Sequence, residues 1–290
     1  MDYILHILVV LTIYTILSVS LDLVAGHTGL LSISQAAFFG LGAYTSALLA
    51  VRFGMPFLAG VLAGMIVATL VSFIVSLPSL RLRDDYFVIA TFGFQMILFS
   101  VFNNWVNLTR GPMGIPGIPK PIIFGWHVTS RLDFLILAMA FACFAYFVVY
   151  RLISSPFGRV LHAIREDEGF AKMHGKNTLR FKIVAVAVSA ALAASAGSLY
   201  AHYFTYIDPT SFTVMESILI ISMIIIGGAG SLWGPFVGAV VLVTLPEVLR
   251  LVGLPSAVAA NLRQIIYGGL LVIMILFRPR GLVGKYEFNK

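Results

Sequence analysis

RLISSPFGRVLHAIREDEGFAKMHGKNTLRFK, residues 151–182, stands between two long apolar blocks at 132–150 and 183–207. It carries seven of the chain's nineteen lysines and arginines, in a sequence that is 60% hydrophobic and only 11% charged. A basic segment between apolar blocks marks the cytoplasmic side of a membrane protein, where anionic lipid and the insertion bias retain cations. Arg278, Arg280, Lys285 and Lys290 follow the last apolar block, which places the C-terminus on the same side.

Working outward, a mean hydropathy of +0.99 leaves too few polar side chains to cover a soluble surface, so lipid is the main solvent. A spanning helix needs about 20 apolar residues to cross a core of about 30 Å. Such blocks recur at 3–24, 30–51, 56–76, 86–107, 132–150, 183–207, 214–230, 231–250 and 262–278. The expected fold is all-α, a polytopic membrane helical bundle of about nine spans forming one transmembrane domain over residues 1–290. With the N-terminus outside, thirteen lysines and arginines lie inside; Arg52, Arg110, Lys120, Arg131, Arg250 and Arg263 lie outside. The net charge of +7 therefore reads as orientation and not as affinity for nucleic acid. The run Tyr3 to Val19 follows Asp2, where a signal peptide carries positive charge, and reads as a retained first span.

Two places break the apolar pattern. Gly26, Gly29, Gly40 and Gly42 surround Thr28, Ser32, Ser34 and Gln35, and a broken or re-entrant helix is expected there. Such backbone persists at membrane depth only where protein or a water-filled cavity satisfies its polar groups. Gly227, Gly228 and Gly230, followed by Ser231, Gly234 and Pro235, form a tight reversal between two apolar arms. No internal repeat is legible. Pro112, Pro116, Pro119 and Pro121 keep the external loop 108–130 out of a regular helix.

The chemistry of an enzyme finds no residues. The nearest approach to a phosphate-cradling loop, Gly169 to Thr178, has five residues between Gly169 and Gly175, and Asn177 where a magnesium-binding hydroxyl belongs. The six histidines form no close metal-ligand pair, and Cys143 is alone, so neither a metal nor a cofactor is expected on this chain.

Within 151–182, Ser155-Pro156 starts a helix, Ser as cap and Pro in the first turn. Phe157, Val160, Leu161 and Ile164 fall on one face while Arg159, Arg165, Glu166 and Asp167 project elsewhere. A second short turn runs from Phe170 to His174 and ends at Gly175. The segment is either a solvated loop or a short helix that inserts into a partner and carries its motion to the flanking spans.

Six motifs in order bear on that choice: Gly26-His27-Thr28-Gly29-Leu30-Leu31-Ser32-Ile33-Ser34-Gln35 through Tyr44, Leu80 through Phe87, Leu108 through Ile115, Ser155-Pro156-Phe157-Gly158-Arg159 with Ala163 through Glu168, Gly227 through Pro235, and Phe277 through Leu282. Together they resemble the LivH/LivM-type permeases of ABC importers for branched-chain amino acids, LivM most of all, over nearly the whole chain. The resemblance implies a multi-pass protein of the bacterial inner membrane that pairs with a second, LivH-like permease, two cytosolic ATPases and a periplasmic amino-acid-binding protein. ATP would be used by the partner subunits. It further implies that 151–182 couples to the ATPase, often through a Glu-Ala-Ala pattern followed by Gly. Ala171 and Gly175 fall in that register, but Gly169 and Phe170 replace the Glu and first Ala, and Glu168 lies one residue early. The coupling role therefore carries over better to Arg159, Arg165, Glu166, Asp167 and Glu168.

For the translocation path, Ser32, Ser34 and Gln35 are the first candidates, since polar side chains beside a glycine break can face a cavity. Interhelical hydrogen bonding is the equal alternative. Glu216, at the edge of a span, is either a path residue or interfacial. Leucine, isoleucine and valine are the default cargo. Relatives for urea or short amides form one alternative, and an ATPase-independent secondary transporter another.

Overall fold

The computed structural model describes residues 2–80, 84–123, 125–251, 266, 268–274, 276–278 and 280–284. Arg81, Arg83, Arg263, Lys285 and Lys290 lie outside the described residues, as do the side chains of Asp84, Asp85 and Arg250.

Eleven α-helices follow in order among the described residues: α1 Asp2–Thr28, α2 Gln35–Phe53, α3 Phe57–Ser79, α4 Asp84–Asn104, α5 Val106–Thr109, α6 Arg131–Ser154, α7 Pro156–Glu166, α8 Glu168–Met173, α9 Thr178–Phe204, α10 Val214–Gly227 and α11 Gly234–Leu251. Six of them, α1 to α4, α6 and α9, are long and apolar enough to cross a membrane; α10 and α11 are shorter apolar helices. The expected block 262–278 is described only in part, and is helical at 268–274. Two-residue strands tie the loop segments: β1 Ile115–Pro116 pairs antiparallel with β4 Tyr206–Ile207, and β2 Ile122–Ile123 with β3 Trp126–His127.

Two helices form the axis of the bundle. α1 is apolar on all sides and buried almost without interruption from Ile13 to Thr28, as expected for a helix without a polar face. α9 is built of alanine, serine and glycine, so neighbouring backbones come close: a Cβ on Gly197 would sit 1.9 Å from the Phe39 carbonyl oxygen of α2. A Cβ on Gly42 would sit 2.0 Å from the Ala194 carbonyl oxygen of α9. In lipid, where apolar surface gains nothing by leaving one apolar solvent for another, small residues that allow such packing drive helix association.

The ends of the bundle are fixed by contacts. Arg131 donates to the Asp2 carbonyl oxygen and Arg52 to the carbonyls of Asn107 and Leu108, so the starts of α1 and α6, the end of α2 and the loop 105–130 share one end, the loop end. α7 and α8 lie at the other, the α7 end, with the end of α1.

Two helices, α2 and α10, start inside the bundle. After α1 the chain turns at Gly29, φ +76°, returns in extended form and starts α2 at the level of Leu17 to Ser20, whose groups Gln35 contacts. After α9 it turns at the loop end, dips inward through β4 and the 3-10 turn Pro209–Phe212, and starts α10 beside Tyr14. At 1.5 Å per residue those levels lie about 18 to 27 Å along α1, deep in the membrane. α2 then runs to the loop end and α10 to the α7 end, so two broken segments enter from opposite ends and meet.

That geometry corrects the expected break in one detail. Gly26 lies inside α1, and the break comes at Gly29. Gly26 is needed for close approach instead: a Cβ there would fall 2.5 Å from the Gly230 amide nitrogen. The second break stands where expected, with α10 ending at Gly227 and positive φ at Gly228 and Gly230. The return through 206–213 begins inside the apolar block that ran to residue 207 and continues through the segment Asp208 to Thr213 that separates it from the next block.

Candidate functional site: a mid-depth polar junction and the surface at the α7 end

The two broken segments bring their helix starts together. Neither Ser34 before α2 nor Thr213 before α10 caps its helix through its side chain, and both helix dipoles present their positive ends at mid-depth. The Ala36 amide donates to Ser217 Oγ at 3.0 Å, joining the starts of α2 and α10. Ser217 Oγ lies 3.4 Å from Gln95 Oε1, and Gln95 Nε2 donates to the Phe212 carbonyl at 2.8 Å.

Each path candidate has a definite place here. Ser32 and Ser34 hydroxyls pair at 2.9 Å, and the neighbouring Ile33 amide donates to Thr91 Oγ1 at 3.1 Å. Gln35 is buried; its Nε2 donates to Ser20 Oγ at 2.7 Å and its Oε1 accepts from Ser189 at 3.4 Å. Glu216 accepts a hydrogen bond from Tyr14. The junction is thus a set of hydroxyls and amides with one carboxylate, chemistry suited to passing a small polar solute. Ser20, Gln95, Ser189 and Ser217 belong to it and were not singled out in the sequence. Gln95, one amide inside an apolar span, carried the clearest unused signal.

A cleft of about 220 Å³ bounded by His6, Tyr14, Leu219, Leu242 and Glu247 lies beside the junction. Of its lining residues, His6 contacts Tyr203 at 2.8 Å and Glu247 accepts a hydrogen bond from Tyr3. A larger groove of about 720 Å³ between α1, α6 and α11, lined by Cys143, Tyr146, Phe147 and Trp233, is apolar and stands apart from these groups.

At the α7 end, Ser155 Oγ accepts from the Phe157 amide at 3.1 Å and starts α7, which buries Leu161 and Ile164 against the spans. Asp167 Oδ1 accepts from the Phe170 amide at 3.0 Å and starts α8. The expected coupling residues then separate. Arg159, Glu166, Asp167 and Gly175 are exposed. Ala171 is buried, and Arg165 turns inward to donate to the Gly26 carbonyl. Glu168 is held by Lys182 at 2.7 Å, Thr178 at 2.8 Å and Lys172 at 3.1 Å. Its partial burial works to raise the carboxyl pKa, but the hydrogen bonds from Lys182, Thr178 and Lys172 outweigh it and bring the pKa down to about 2. The residues that sequence reasoning left out are Phe170 and Met173, which stand 58% and 86% exposed on α8 among these charges.

Broken helices meeting at mid-depth and a charged helical element at one end define a polytopic permease. The profile described as "Branched-chain amino acid transport system / permease component" matches residues 3–275, and the chain belongs to that family. It is 35% identical to the high-affinity branched-chain amino acid transport system permease protein LivM of Salmonella typhimurium, over 93% of this chain and 68% of the relative. It is 26% identical to a probable LivM of Methanocaldococcus jannaschii, over 97% and 93%. Salmonella typhimurium LivH is 24% identical over 96% and 93%. No solved structure matches the chain.

Proposed function

We propose that this chain is the membrane permease subunit of an ATP-driven, binding-protein-dependent importer for leucine, isoleucine and valine, working in a pair with a LivH-like permease. The loaded binding protein meets the loop end, and two ATPases grip the α7 end, which faces the cytosol. Closure of the ATPases moves α7 and α8, and the polar junction changes the end to which it is open.

The observation that carries this reading, within the family, is the α7 end. Phe170 and Met173 are apolar and exposed, in a segment whose Arg159, Glu166, Asp167 and Lys172 are exposed as well. Buried on a partner, such side chains act as anchors and the charges as a selective rim. For the path, the dipole ends of α2 and α10 favour a substrate carboxylate, and Glu216 favours its ammonium group.

The test is co-purification and uptake with Phe170→Glu and Met173→Glu together. The variant is expected to insert normally, lose the ATPases and lose uptake; normal assembly and uptake would reject docking at α8. Competition of leucine uptake by isoleucine and valine, but not by urea or acetamide, checks the cargo. Broken helices also occur in ATPase-independent carriers, and uptake in the absence of the ATPase subunits would favour that second reading.

A further inference from the structure

We infer that Asp22 is a positioning residue that couples the α7–α8 element to the α10–α11 hairpin. The inference rests on the proposed reading of the α7 end.

Asp22 is buried within α1, 2% exposed, and its Oδ1 accepts from the Gly230 amide at 2.9 Å. Gly230 stands in the turn between α10 and α11 with φ +72°. Bare backbone at Gly26 lets that turn lie against α1, since a Cβ there would fall 2.5 Å from the Gly230 amide nitrogen. The same stretch of α1 holds α7. The Gly26 carbonyl accepts from Arg165, and the His27 ring meets the His162 ring edge-on at 5.0 Å. His27 Nε2 in turn lies 3.5 Å from Asp22 Oδ2. Within six residues, α1 therefore holds the hairpin turn on one side and the coupling helix on the other.

A buried carboxyl cannot release its backbone donor cheaply, because the acceptor and the Gly230 amide would both be left out of water without a partner. A displacement of α7 that moves the end of α1 must then carry the turn with it. α10 leads from that turn to Ser217, which accepts the Ala36 amide at the start of α2. The chain of contacts runs from Arg165 through Gly26, Asp22 and Gly230 to the polar junction. The segment 280–284 braces the same turn, with the Leu282 and Val283 amides donating to the carbonyls of Ile226 and Gly227 at 2.9 Å each.

The experiment measures substrate imported per ATP hydrolysed by the complete transporter in vesicles, with bound ATPase quantified. Asp22→Asn keeps shape but weakens the acceptor; the ATPases are expected to remain bound and to hydrolyse ATP, while the import ratio falls about tenfold, the scale of a weakened buried hydrogen bond. Arg165→Met is expected to lower the ratio similarly and Arg165→Lys, which keeps a donor, to restore it. An unchanged ratio in Asp22→Asn and Arg165→Met overturns the inference. So does a loss of assembly, uptake and hydrolysis together in Asp22→Asn with a normal ratio in Arg165→Met, which makes Asp22 an anchor for the fold only. Failure of the broader reading looks different: the ATPases would then not bind the unmodified permease.

Discussion

Gln35 shows what a polar side chain does when water is absent. Its amide reaches Ser20 on α1 and Ser189 on α9, and so ties together three elements inside the bundle. Gln35→Leu leaves the Ser20 and Ser189 hydroxyls without their partner and is expected to lower the maximal rate of uptake while leaving the affinity of the binding protein for its ligand unchanged. Uptake kinetics equal to the unmodified protein would return Gln35 to a packing role. Glu168 makes a prediction at the other end. Its carboxyl pKa is lowered to about 2, so the stabilising pair with Lys182 is fully present above the ordinary carboxylate value of about 4.3 and is lost as pH falls through that range. The difference in melting temperature between the unmodified protein and Glu168→Gln is therefore expected to be constant from pH 7 to 5 and to shrink below about pH 4.3. A difference that grew on acidification would contradict the assignment. At this scale the sequence was only half legible. Ser155 and Pro156 announced a helix start, but Arg165 and Glu168 were read only as coupling charges, because linear sequence does not show the Gly26 carbonyl or the buried Lys182 that they meet.

Between elements, glycine has two uses that look alike in a sequence and differ in space. Gly29, Gly228 and Gly230 supply left-handed backbone at the two breaks. Gly26, Gly42 and Gly197 sit inside helices and let backbones touch. Reading Gly26 as a break followed from its neighbours Gly29 and Thr28, with nothing in composition to separate the two uses. The distinction predicts unequal mutants. Gly197→Ala puts a Cβ against the α2 backbone and is expected to cost about 2 kcal/mol, the scale of overpacking. Gly93→Ala in α4, where a Cβ meets nothing within 4 Å, is expected to be neutral or slightly stabilising. Thermal unfolding in detergent measures both; equal effects would mean that the approach of α2 and α9 is not a structural constraint. Span positions were legible because apolar blocks of about 20 residues have one use in lipid. The returns at 29–34 and 206–213 were less so: the first carried glycines and serines, while the second lay mostly in the gap between two apolar blocks, which does not show that the chain re-enters the bundle there.

For the molecule as a whole, a short helical element at one end is anchored on the same helix that borders a buried polar junction. α7 and α8 project at one end, α1 carries their anchorage, and α2 and α10 meet at depth with their starts opposed. In the proposed function the energy comes from ATPases gripping the α7 end. The direct measurement is leucine uptake into vesicles holding the complete transporter with known orientation, with ATP supplied on one side only. The account predicts accumulation against a gradient only when ATP is on the side of residues 151–182, and none by this chain alone. Accumulation by the purified single chain, or ATP acting from the loop end, would contradict it.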